Sequence, residues 1–101
     1  MTLLERIIVY WLVKRVHLTI TGRVQGVGFR WFCQGSARGL GITGYVKNIR
    51  DGSVEIEAQG DEEAVDLFIG SVSKGPRNAE VNAVEREERS IVLEEGTFSL
   101  A

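Results

Sequence analysis

The 101-residue sequence holds one cysteine, one proline, one histidine and one methionine, and each scarcity excludes something. A single cysteine, Cys33, cannot close an internal disulfide and has no Cys/His cluster around it to hold a metal. The expected setting is therefore a reducing one, the cytoplasm, and the expected role of Cys33 is a small apolar residue packed on a helix. No apolar run approaches the roughly 20 residues that a helix needs to cross a bilayer, so no membrane partner is expected. The longest, Leu3 to Val13 (LLERIIVYWLV), is interrupted by Glu5 and Arg6 and lacks the basic start and small-residue cleavage site of a signal peptide. It reads as an extension, residues 1–13, that forms an extra strand, a short helix or a self-association surface beside a single domain of residues 14–101.

Positive charge is also too scarce for a general nucleic-acid binder: the net charge is −2, whereas grip on a phosphate backbone needs a broad Lys/Arg surface. Its distribution is uneven. Residues 1–50 carry eight Lys/Arg against one acid, Glu5, while residues 51–101 carry four against thirteen. An anion site, if present, belongs in the first half.

Periodicity then orders the chain. Val16, Leu18 and Ile20 alternate with His17, Thr19 and Thr21, the pattern of a strand with one buried face, and this places the lone histidine mid-strand, away from any site. Phe29, Phe32, Cys33, Ala37 and Leu40 share one helix face, with Arg30, Gln34 and Arg38 pointing elsewhere and Gly39 or Gly41 as the C-terminal cap. Gly44 to Ile49 and Ser53 to Gln59 read as strands joined by the Asp51-Gly52 hairpin signal. Asp61 is expected to cap a second helix with Ala64, Leu67, Phe68 and Val72 on one face, stopped by Gly75-Pro76. Glu80 to Arg86 and Thr97 to Leu100 complete the strands. The order βαββαβ predicts an α+β fold, the ferredoxin-like split βαβ, with an antiparallel sheet and two helices on one face.

Between the first strand and first helix lies Gly22-Arg23-Val24-Gln25-Gly26-Val27-Gly28-Phe29-Arg30. A strand that enters a glycine-rich loop and then a helix start presents several unpaired N–H groups backed by the positive end of the helix dipole. The amides of Gln25, Gly26, Val27, Gly28, Phe29 and Arg30 are thus candidates to surround a tetrahedral oxyanion, with the Arg30 guanidinium closing the ring. On spacing alone a loop that merely turns the chain fits equally well. The segment has no Gly-Lys-Ser/Thr ending of a nucleotide P-loop and no G-x-G-x-x-G dinucleotide spacing.

The run GRVQGVGFR (Gly22 to Arg30) resembles the signature of acylphosphatases, and GYVKNIRDGSVEIEAQG (Gly44 to Gly60) resembles their second signature. The similarity spans about residues 14–100; the segment through Val13 lies outside it, and IVLEEGTFSLA at the C-terminus is a loose match. The resemblance implies a ferredoxin-like domain in which Arg30 binds the phosphoryl group and Asn48 positions the attacking water. It further implies an acyl phosphate as substrate, inorganic phosphate as product, no cofactor and no metal, and a monomer is expected. Split βαβ topology places the loop after Thr21 and the residue Asn48 on one rim of the sheet. Trp31, Lys47 and Arg23 are expected to flank that rim. Two rival readings keep the fold: a module handling carbamoyl phosphate, as in hydrogenase maturation proteins, and an RNA-binding sheet, disfavoured by Glu55 and Glu57 where exposed aromatics would be needed.

Overall fold

Strand β1 (Val13–Arg23) organises the molecule, and its alternation is visible in burial: Val16, Leu18 and Ile20 are wholly buried, whereas His17 and Thr19 between them are half-exposed. The structure is a computed structural model that describes residues 2–6 and 12–101. β1 lies between β3 (Val54–Asp61) and β4 (Glu80–Arg89), antiparallel to both, with Leu18 facing Ile56 on one side and Arg86 on the other. β2 (Thr43–Asn48) pairs antiparallel with the far edge of β3. The strand order is β4-β1-β3-β2-β5, with β5 (Phe98–Leu100) at the edge.

The ferredoxin-like architecture is as expected, but the sheet is mixed, because β5 runs parallel to β2. Topology requires this. β4 descends along one edge, antiparallel to β1, and residues 90–97 cross below the sheet to the opposite edge. The chain can then only ascend, in the direction of β2. β4 also extends to Arg89, beyond the expected Arg86, since its pairing with β1 continues to Arg15 whatever side chains it carries.

Helices α1 (Phe29–Leu40) and α2 (Glu62–Lys74) cover one face of the sheet. Phe29, Cys33 and Ala37 of α1 and Val65, Phe68 and Val72 of α2 meet Val16, Leu18, Ile20, Val46, Val54 and Ile56. The Phe68 ring lies 5.7 Å from that of Phe98, tilted by 60°. Each large side chain so buried contributes about 1.5–3 kcal/mol, enough in sum to hold a domain of this size. Burial also pushes the Cys33 thiol up to about 12, which makes it an inert core group as expected.

Three local expectations are corrected. Gln34 does not point outward: it is buried, and its Nε2 donates to the Phe98 carbonyl at 3.1 Å, fastening β5 to α1. Leu67 is 62% exposed and Val65 takes the core position, so the buried stripe of α2 is 65, 68 and 72. Asp61 occupies the cap position without a side-chain cap bond; the Glu62 amide instead donates to the Leu12 carbonyl at 3.0 Å. At the N-terminus Leu3 to Arg6 form one helical turn, and residues 7–11 of the apolar extension lie outside the described residues. Among the described residues no helix is long and apolar enough to cross a membrane.

The uncovered face of the sheet is polar and cross-linked. Arg15, only 3% exposed, donates from Nε to Glu57 (2.6 Å) and from both Nη atoms to Glu95 (2.8 and 3.2 Å), tying the 90–97 crossing to the sheet. Burial tends to lower its pKa, but bonds to Glu95 and Glu57 outweigh that and raise it, so Arg15 is a fixed cation. Gln59 joins the same crossing through both its amide atoms and the backbone of Val92.

Candidate active site

The rim at the C-terminal ends of β1 and β2 is built by a change in backbone geometry. The register between β1 and β4 slips between Thr21 and Gly22, and Gly22 (φ 127°) lies so near β4 that a Cβ would overlap the Glu80 carbonyl oxygen. The chain thus shifts register at Gly22 and leaves the sheet after Arg23. Val24 turns inward, wholly buried, and Gly26 (φ 74°) and Gly28 (φ 77°) take left-handed conformations before Phe29 enters the core as the first residue of α1. Left-handed residues set between ordinary ones turn successive N–H groups to one side, the geometry of an anion nest. Among the described residues, no amide from Gln25 to Arg30 donates to a protein acceptor.

The start of α1 is also left electrically open. Gly28, its N-cap, supplies no side-chain acceptor, and no acid stands in the first turn, whereas α2 begins with Glu62 and Glu63. The positive end of the α1 dipole therefore faces the loop unneutralised.

A cavity of about 210 Å³ opens there. Gly26, Gly28, Phe29 and Arg30 line it from the loop and helix, Val24 from beneath, and Asn48 from across the rim. Trp31 forms part of its mouth. Asn48 is the last residue of β2 and, two places after buried Val46, faces the helix side of the sheet; its carboxamide is exposed and makes no hydrogen bond among the described residues. The structure thus brings together Gly26, Gly28, Phe29, Arg30 and Asn48. Gln25 and Val27 contribute backbone to the loop, but their side chains go elsewhere: Val27 packs on the core, and Gln25 reaches the hairpin after Asn48.

That hairpin is braced at several points. Ile49 N donates to Ser53 O at 2.9 Å, Gly52 N to Ile49 O at 3.0 Å, and the Asp51 carboxylate accepts from both the hydroxyl (2.6 Å) and amide (2.9 Å) of Ser53. The two Ser53 bonds lower the Asp51 pKa. Arg30 is half-exposed and donates from Nη1 to the Ala101 carbonyl at 3.5 Å, while the Ala101 amide bonds Val46 O at 2.8 Å. No sequence pattern marks Ala101 as a neighbour of Arg30, because the contact depends on where β5 docks.

Two expected rim residues are placed differently. Lys47 points to the opposite face, its Nζ 3.2 Å from Glu55 Oε2, while His17 Nε2 lies 2.8 Å from the other oxygen of the same carboxylate. Glu55 is partly desolvated, which by itself raises its pKa, but His17 and Lys47 together hold it below the usual carboxylate range. Arg23 is exposed and does not line the cavity. Among the described residues no group of three or more His, Cys, Asp or Glu is placed to hold a metal ion.

This is a ferredoxin-like α+β domain whose first strand-to-helix junction presents free amides, one guanidinium and one carboxamide to a single cavity, a set of groups of the kind that suits an oxyanion. Comparison narrows the class. A family model described as acylphosphatase matches residues 16–100. An acylphosphatase of Geobacillus thermodenitrificans is 47% identical over 88 residues, covering 87% of this chain and 94% of the relative. The crystal structure of an acylphosphatase from Bacillus subtilis superposes with a TM-score of 0.84 at 36% identity, covering 87% of this chain and 98% of that one. HypF of T. kodakarensis superposes with a TM-score of 0.77 at 34% identity, covering 87% of this chain but only 12% of HypF. The chain belongs to the acylphosphatase family, and with it to the hydrolases.

Proposed function

We propose that this chain hydrolyses the carboxyl–phosphate bond of small acyl phosphates to a carboxylate and inorganic phosphate, through the cavity shared by the 25–30 loop, Arg30 and Asn48. The observation that carries the reading is the conjunction at that cavity: amides without protein acceptors, a helix N-terminus with neither cap nor acid, a guanidinium and an unbonded carboxamide. Such a set is complementary to a phosphoryl dianion and offers it no repulsive carboxylate.

The chemistry asks little more. The loop amides and Arg30 hold the phosphoryl oxygens and offset the charge that builds on them. Asn48 orients a water in line with phosphorus. Its oxygen forms the new P–O bond as the bond from phosphorus to the acyl oxygen breaks; the carboxylate leaves with the electron pair, and the water's proton passes to a phosphoryl oxygen of the substrate. A carboxylate is a good leaving group, so positioning and charge stabilisation suffice without a strong protein acid or base. The same reasoning makes the reaction independent of metal and of cofactor. Residues 14–101 form the catalytic unit in this reading, a cytoplasmic monomer that needs neither nucleic acid nor membrane as partner, with residues 1–13 as an appendage.

A second reading keeps the same cavity and takes carbamoyl phosphate, which presents the same phosphoryl group on a small acyl group. The test is phosphate release by the purified full chain in the presence of a chelator, from benzoyl, acetyl and carbamoyl phosphate. Turnover of benzoyl and acetyl phosphate with chelator present supports the reading. Activity confined to carbamoyl phosphate would replace it with the narrower one, and activity on none would end it.

A further inference from the structure

Among the described residues the exposed large apolar side chains other than Trp31 do not line the cavity: Leu3, Leu4 and Leu12 precede β1, Leu67 is on α2, and Val92 and Leu93 are on the 90–97 crossing. Trp31 is different. It is 69% exposed and yet lines the cavity, one residue after Arg30 in the first turn of α1. Successive helical residues diverge by about 100°, so Arg30 and Trp31 leave the helix in different directions while both line the mouth, the guanidinium reaching the Ala101 carbonyl. Exposing so large a ring forgoes burial that every other aromatic of α1 obtains: Phe29 lies in the core and Phe32 packs against it, 6.3 Å from Phe29. Among the described residues the Trp31 indole N–H donates no hydrogen bond, and no second ring stacks on it.

The cavity is accordingly divided. One part is polar, made of loop amides, Arg30 and Asn48, and suits the phosphoryl group; the rest is apolar, made of Val24, Phe29 and Trp31. A phosphoryl group seated on the polar part must project its acyl group out through the mouth, because buried Val24 closes the floor. The exposed apolar surface at that exit is the indole.

We propose that Trp31 is the specificity-determining residue for the acyl group, a platform on which a flat aryl group stacks, so that the enzyme prefers aromatic over small aliphatic acyl phosphates. The inference rests on the acyl-phosphate reading of the site and adds the substrate class. An aroyl ring, depleted of electron density by its carbonyl, complements the electron-rich indole in an offset stack, whereas an acetyl group has too little area to use it. Because Trp31 stands away from phosphorus, the platform acts on the ground state and transition state alike and shows mainly in KM.

The experiment compares kcat and KM for benzoyl and acetyl phosphate in wild type, Trp31→Ala and Trp31→Phe, together with competitive inhibition by inorganic phosphate. Trp31→Ala is expected to raise KM for benzoyl phosphate about three- to tenfold, as loss of one aromatic contact does, and to leave kcat, the acetyl phosphate constants and phosphate inhibition within about twofold. Trp31→Phe retains most of the preference for benzoyl phosphate, which a merely structural role would not predict. An unchanged ratio of kcat/KM between the two substrates in Trp31→Ala, whether both fall or neither does, overturns the proposal while leaving the function intact. Failure of the wild type to hydrolyse either substrate removes the function and this inference together.

Discussion

The side-chain amide of Gln25 bonds the backbone of Ile49: Nε2 donates to the Ile49 carbonyl at 2.7 Å and, in the same fork, to the Ser53 carbonyl at 2.8 Å. The loop that starts the candidate cradle is thereby fixed to the hairpin that begins one residue after Asn48. Two segments separated by more than twenty positions in the chain are held in register by one carboxamide.

Gln25→Ala removes both bonds. The two carbonyls keep backbone partners, Gly52 N for Ile49 and Ile49 N for Ser53, so the loss of stability is modest, about 1–2 kcal/mol in a denaturant titration. Turnover of benzoyl phosphate is expected to fall by about tenfold or more, since small displacements of positioning groups are costly. A kcat equal to wild type would show that the loop and Asn48 need no such link.

Arg30 and Asn48 have distinguishable effects. Arg30→Ala deletes charge-assisted bonds worth about 1.5–3 kcal/mol each, so both phosphate inhibition and turnover weaken. Asn48→Ala leaves the anion grip in place: inorganic phosphate inhibits as before, while kcat on benzoyl phosphate falls about 10²–10³-fold. Parallel loss of inhibition and turnover in both variants would mean that Asn48 is part of the grip rather than the guide for water.

These residues were readable because their information is local. The alternation from Val16 to Ile20, the glycines at 22, 26 and 28 and the Asp51-Gly52 turn each dictate backbone within a few positions, and their order dictates a shared rim. What could not be read depends on partners distant in sequence. Gln34 looks like a solvent-facing residue until β5 presents the Phe98 carbonyl to it. Leu67 and Val65 point about 200° apart around α2, so only one of them can join Phe68 and Val72 against the sheet, and the sheet takes Val65. The direction of β5 follows from the path of residues 90–97, and the contact of Ala101 with Arg30 follows from β5. Gln25 was legible as loop backbone, but nothing near it in sequence reveals the acceptors of its side chain.

Arg15 offers a test of the polar face. It is almost wholly buried between Glu57 and Glu95, and removing a cation from such a cluster leaves two carboxylates facing each other without a counter-charge. Arg15→Met should cost about 3 kcal/mol, at the lower end for broken buried pairs because both carboxylates retain some exposure. Glu95→Gln, which keeps a hydrogen-bond acceptor for the guanidinium, should cost distinctly less. Equal losses in the two variants would assign the stability to the docked crossing rather than to the buried charge.

Glu55 predicts a pH dependence whose sign is fixed by its neighbours. Desolvation raises its pKa, but His17 and Lys47 more than offset this, and the folded value lies below the ordinary 4.5. A group whose folded pKa is depressed contributes stability that is present above its unfolded pKa and is lost as pH falls through the folded one. Glu55→Gln cannot ionise, so it should be less stable than wild type near neutral pH, and the difference should shrink once the pH drops below about 4. The other carboxylates titrate in both proteins and cancel in the comparison. Urea midpoints of the two proteins at about pH 7 and about pH 3 measure the gap at each end; a gap of constant size would show that Glu55 stabilises through packing alone, with no contribution from its charge.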